Sequence, residues 1–148
     1  VITVRTEPVR SGLVAREWAM DYAMVPGSVR LIRMHLRRQL TVMGWHGDLE
    51  DAVVIASELA SNAVKHAWIA GELLTVRAAV LDDSTLQIDV ADPAGVFPGF
   101  GEMTYPPADV EGGRGLLLAR NLGASLSWFL RESGGKTVRA HLAMRIWP

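Results

Sequence analysis

The sequence contains no cysteine. Disulfides and thiolate metal sites are therefore excluded, and a cytoplasmic location fits. No apolar run approaches the roughly 20 residues that a bilayer-spanning helix needs. The opening stretch VITVRTEPVR lacks the apolar core of a secretory signal. Charge of one sign is also missing: the formal net charge is −1, which argues against nucleic acid as the main partner. No repeat or low-complexity segment occurs. The four histidines, His35, His46, His66 and His141, show no metal-ligand spacing. No G-x-S-x-G elbow is present for a serine hydrolase. ESGGKT resembles the end of a P-loop, but Leu130 stands where its first glycine belongs and a strand pattern follows instead of a helix.

What is present is enough for one domain with a real core: 148 residues, 49% of them hydrophobic, with five tryptophans. Residues 1–12 read as an N-terminal tail or short extra strand, and 13–148 as the domain. LVAREWAMDY alternates Val14, Arg16, Trp18, Met20 and Tyr22 against Ala15, Glu17, Ala19 and Asp21, the period of a strand. Ser28 is expected to cap a helix that runs to Gly44. On it Arg30, Arg33, Arg37 and Arg38 interleave with Val29, Ile32, Met34, Leu36 and Leu40, giving an amphipathic helix whose polar side is solvated or docks a partner. Asp48 can cap a second helix. ELLTVRAAVL and TLQIDVAD alternate around DDS as a hairpin. Next comes a stretch, residues 93–113, that holds four of the seven prolines; loops of about twenty residues inside a compact domain are usually functional or mobile. RGLLLARNLG reads as a short helix stopped by Gly123, and ASLSWFL and TVRAHLAMRI as a closing hairpin. This order predicts an α+β two-layer sandwich, a mostly antiparallel sheet with helices on one face.

Three features could carry chemistry. In SELASNAVKHA the residues Glu58, Asn62 and His66 recur every four positions, so they form a polar stripe on one side of the second helix. Beside it Leu49, Ala52, Val53, Ala56, Leu59, Ala60, Ala63 and Ala67 make the apolar face. Alone, the stripe reads first as the solvated edge of an amphipathic helix. Asp92 continues the apolar parity of Leu86, Ile88 and Val90, and a buried carboxylate needs a donor. That donor is either the backbone of the following PAG turn or a ligand N–H. Finally, Gly112, Gly113 and Gly115 lead into a helix, where close-approaching backbone and free N–H groups suit an anion, and Arg114 adds a cation.

Taken in order, these segments resemble the GHKL ATPase superfamily, and within it the small bacterial anti-sigma-factor serine kinases. SELASNAVKHA is similar to their N box, VADPAG to their first G box and EGGRGLLLA to their second, and the likeness spans roughly Leu13 to Ile146. The resemblance implies a Bergerat-type ATP-binding fold. It implies that Asn62 ligates Mg²⁺ and that Asp92 accepts the adenine amino group, with Gly95 in the first G box. Gly112, Gly113, Arg114, Gly115 and Leu116 would wrap the phosphates of ATP, Arg114 would steady the transferring group, and Glu58 would be the general base. His66 is left as a lid contact or a structural hydrogen-bonder. The implied activity is phosphorylation of a serine on an antagonist protein, coupled to sequestering a sigma factor, by a cytoplasmic homodimer without direct nucleic-acid or membrane contact. The alternative is a non-catalytic module of the same fold that grips a partner. A histidine-kinase-like catalytic domain is a third reading, weakened because no dimerisation helix with an acceptor histidine precedes the first strand. The chain departs from the D-x-G-x-G pattern, reading Asp92, Ala94 and Val96, and Lys136 stands where the family's closing strand usually has threonine.

Overall fold

The computed structural model describes residues 2–4, 13–95 and 122–144. They form β1 (Ile2–Val4), β2 (Val14–Ala23), α1 (Pro26–Val42), α2 (Leu49–His66), β3 (Leu73–Leu81), β4 (Leu86–Asp92), β5 (Ser125–Leu130) and β6 (Lys136–Leu142). The six strands make one sheet in the order β1-β5-β6-β4-β3-β2. β2 to β6 pair antiparallel, and β1 runs parallel to β5. Both described helices cover one face, with α2 on β4 and α1 against α2, β2 and β3. The expected α+β two-layer sandwich is what the chain adopts.

Alternation decides which side chains meet the helices. Leu74, Val76, Ala78 and Val80 of β3, Leu86, Ile88 and Val90 of β4, and Val138, Ala140 and Leu142 of β6 are all buried in the helix-facing core. The opposite parity builds a charged ladder on the outer face. Glu17 accepts from Arg77 at 2.5 Å, and Arg139 grips Asp89 through Nε and Nη2 at 2.7 and 2.9 Å. Arg139 also lies over the Phe129 ring, 4.9 Å from its centre. His141 hydrogen-bonds Gln87 at 2.9 Å, and His35 meets the Tyr22 hydroxyl at 2.8 Å, so two of the four histidines are tied to neighbours within the fold. Burial pushes the Tyr22 phenol up to about 12, keeping it protonated.

The helix ends show where local rules hold. α1 stops in a Schellman motif: Trp45 N–H reaches Leu40 O, Gly44 N–H reaches Thr41 O, and Gly44 takes φ +68°. The expected cap at its start is not used. Pro26, at the first helical positions, already has helix-ready φ, so the helix begins before Ser28, which is buried inside it, and Val25 at the cap offers no side-chain bond. Met34, expected on the buried face, is exposed. Asp48 does cap α2, accepting from Asp51 N–H at 3.0 Å. The arginines of α1 hold α2: Arg33 Nε donates to the buried Ser57 hydroxyl at 2.8 Å, and Arg37 makes a paired contact with Glu50. Among the described strands β2 is a sheet edge, which is why Met20 of its helix-facing parity stays exposed while Tyr22 is buried, and a bulge between Val14 and Arg16 turns Val14 off that parity.

Candidate nucleotide site

A helix turns 100° per residue, and that rotation gives α2 three sides. Ala52, Ala56, Leu59, Ala60 and Ala63 face the core, and Ser57 and Glu50 face α1. Glu58 and Asn62 fall on the remaining flank, half-buried, with His66 one turn on and exposed. Neither the Glu58 nor the Asn62 side chain is hydrogen-bonded to another described residue. A groove of about 260 Å³ lies instead between the helices, lined by Arg30, Arg33, Ser61 and Lys65. It sits on the α1 side of α2 and does not include the Glu58–Asn62 stripe or Asp92.

β4, beneath α2, ends at Asp92. The parity reading holds here: Asp92 is directly opposite Lys136 in the β4–β6 ladder, on the same face as Val90 and Val138. Lys136 Nζ lies 2.9 Å from Asp92 Oδ1, and the two side chains are 5% and 1% exposed, so both charges are withdrawn from water. Asp92 Oδ1 also accepts the Ala94 N–H at 2.9 Å, an Asx turn. Burial raises the Asp92 carboxyl above the usual carboxylate range, and the Lys136 ammonium and the Ala94 N–H pull against it. Both donors use one oxygen, so Oδ2 faces no hydrogen-bond partner among the described residues. Thr137, the next residue, is on the opposite parity and stands over Ala91 on the outer face.

The turn from β5 to β6 brings Lys136 there. Gly134 and Gly135 take φ +95° and +79°. A Cβ on Gly135 would fall on the Asp92 carbonyl oxygen, so only glycine lets this turn close against the end of β4. At Gly95, which is exposed, no described atom lies close enough to require a glycine. Ala94 packs its methyl against the core. Gly112, Gly113, Arg114, Gly115 and Leu116 lie outside the described residues, as do Val96 and the helix read from RGLLLARNLG. Gly135 is a residue at the end of β4 that the motifs do not point to, and Lys136, noted only as a departure from the family's threonine, is the partner of Asp92. The sequence also carries a signal for that pairing: Lys136 continues the apolar parity of Val138, Ala140 and Leu142 as Asp92 continues that of β4.

The donors are of one chemical kind. No group of three or more His, Cys, Asp or Glu among the described residues could hold a metal. The Asn62 amide oxygen on the half-buried flank is the type of ligand a hard divalent cation takes when phosphate oxygens and water complete its shell. No described helix is long and apolar enough to cross a membrane.

No curated protein matches the sequence. Among solved structures, the RsbU and RsbW domains of Rv1364c from Mycobacterium tuberculosis share the fold with a TM-score of 0.59 and 22% identity, over 90% of this chain and 35% of that one. The histidine kinase domain of the blue-light activated histidine kinase EL346 from Erythrobacter litoralis matches with a TM-score of 0.51 and 20% identity, over 80% of this chain and 60% of that one. The chain thus spans about a third of the first structure and under two thirds of the second. A family model of the histidine kinase-like ATPase domain matches residues 23–142, from the end of β2 to the end of β6. The chain belongs to the histidine kinase-like ATPase domain family and is a GHKL-type ATP-binding protein.

Proposed function

We propose that this chain is a Mg²⁺-dependent kinase of the anti-sigma-factor type, which phosphorylates a serine on an antagonist protein and, as a homodimer, holds a sigma factor. The observation that carries the reading is the flank of α2: Glu58 and Asn62 stand one turn apart, half-buried and clear of the α1 contact, on a helix packed over the strand that ends in Asp92. In this reading Asp92 accepts the adenine amino group. Asn62 offers its amide oxygen to the cation, and Gly112, Gly113, Arg114, Gly115 and Leu116 enclose the phosphates. A Mg²⁺ ion held by Asn62 would offset the charge of the phosphates. Glu58 takes the proton of the substrate serine as its oxygen bonds to the γ-phosphorus; the bond to the β-phosphate oxygen breaks and ADP leaves. The exposed arginines of α1 beside the groove offer an acidic partner a surface.

The second reading, a binding module without catalysis, is favoured by the Lys136 ammonium on Asp92, which takes up one of the two carboxylate oxygens and leaves Oδ2 alone for adenine. Phosphate transfer separates the two. Glu58→Gln keeps the shape of the side chain and removes its basicity. Transfer of labelled γ-phosphate to the cognate antagonist should fall by roughly 10²- to 10⁴-fold, with ATP affinity unchanged. Equal transfer by both proteins removes Glu58 from the mechanism, and no transfer by the unmodified protein leaves the binding module.

A further inference from the structure

A carboxylate held against position 6 of the ring discriminates among purines. It accepts the amino hydrogens of adenine and repels the 6-oxo group of hypoxanthine or guanine, because two acceptors then meet. Asp92 is not alone. Lys136 stands directly across the ladder from it, on the same buried face, with Nζ 2.9 Å from Oδ1. The two donors that Asp92 holds both use Oδ1, so Oδ2 is the oxygen left for a base. The ammonium carries three protons. One goes to Asp92, and its contact with the Ala94 carbonyl, at 3.4 Å, is near the limit of hydrogen bonding, so that a stronger acceptor can redirect it.

We infer that Lys136 is a specificity-determining residue of the base pocket: with Asp92 it sets a donor beside an acceptor, so the site takes 6-oxopurine nucleotides as well as ATP. Adenine would give its amino hydrogen to Asp92 Oδ2 and take a proton from Lys136 at N1. Hypoxanthine would reverse the order, with its 6-oxygen on Lys136 and its N1–H on Asp92. Hypoxanthine lacks the 2-amino group of guanine, so ITP tests the hydrogen-bond code without a change of size. This inference rests on the nucleotide reading of the Asp92 pocket.

The experiment titrates ATP and ITP, each with Mg²⁺, into the unmodified protein and into Lys136→Met, with circular dichroism to verify folding. The unmodified protein should bind the two nucleotides within about tenfold of one another. In Lys136→Met the carboxylate faces the base without its cation, and ITP should weaken relative to ATP by a further tenfold or more, as polar sites do when a buried group is left facing a like group. A strong preference for ATP in the unmodified protein, or the same ratio in both, overturns the inference while leaving the ATP site intact. Failure of the unmodified protein to bind either nucleotide overturns the pocket itself. If Lys136→Met does not fold, the ratio measured on the unmodified protein still decides.

Discussion

Gly135 sets the end of β4 more than its neighbours suggest. It has positive φ, and the place of a Cβ is taken by the Asp92 carbonyl. Gly134 has positive φ too, but open space around it. The pair separates two costs. Gly134→Ala should lose only the left-handed penalty, about 1 to 2 kcal/mol. Gly135→Ala should lose that and the cost of pushing Asp92 and Pro93 away, bringing the total to more than about 3 kcal/mol. Urea unfolding of both variants checks this, and equal losses would mean that the turn does not press on β4. Asp92 was legible from parity alone, because it prolongs Leu86, Ile88 and Val90. Its partner was not, since Lys136 lies 44 residues away and only the β4–β6 register brings the two together. Glu58 and Asn62 were legible because a four-residue repeat is local geometry. Their freedom from the α1 contact depends on where Arg33 and Arg37 attach, which periodicity does not encode.

At the scale of the element, α2 carries the Glu58–Asn62 flank and has its own start signal. The Asp48 side chain satisfies the Asp51 N–H, and Glu50 and Asp51 add acidic charge in the first turn. Asp48→Ala should therefore cost about 1 kcal/mol in thermal or denaturant unfolding, within the usual 0.5 to 2. A neutral result would mean that packing on β4 alone fixes the helix. α1 teaches the converse. Its end was readable in Gly44, whereas its start was misread at Ser28, because Pro26 enters the helix without a side-chain cap. The strands were read through alternation and turn residues, with small errors at the ends: β6 starts at Lys136, earlier than Thr137, and ends at Leu142. That β2 is an edge strand follows from the pairing of the whole sheet, so Met20 could be read as core or as surface from its parity alone, and the bulge that takes Val14 off that parity has no sequence signal.

At the scale of the molecule, the helix-facing core and the charged outer ladder settle the orientation of the sheet, and that orientation puts Asp92 and Lys136 beneath the helices, away from the outer charges. A buried ion pair contributes little net stability, and losing one partner leaves an uncompensated charge. In the proposed reading the pair serves by what it presents to a ligand. The direct measurement is isothermal titration of ATP into the whole chain, with and without Mg²⁺, for the unmodified protein and Asn62→Ala. If the flank of α2 and the end of β4 form a nucleotide site, the unmodified protein binds ATP more tightly with Mg²⁺, and Asn62→Ala loses that gain but keeps the metal-independent part. No ATP binding, or a Mg²⁺ gain that survives Asn62→Ala, would contradict the assignment.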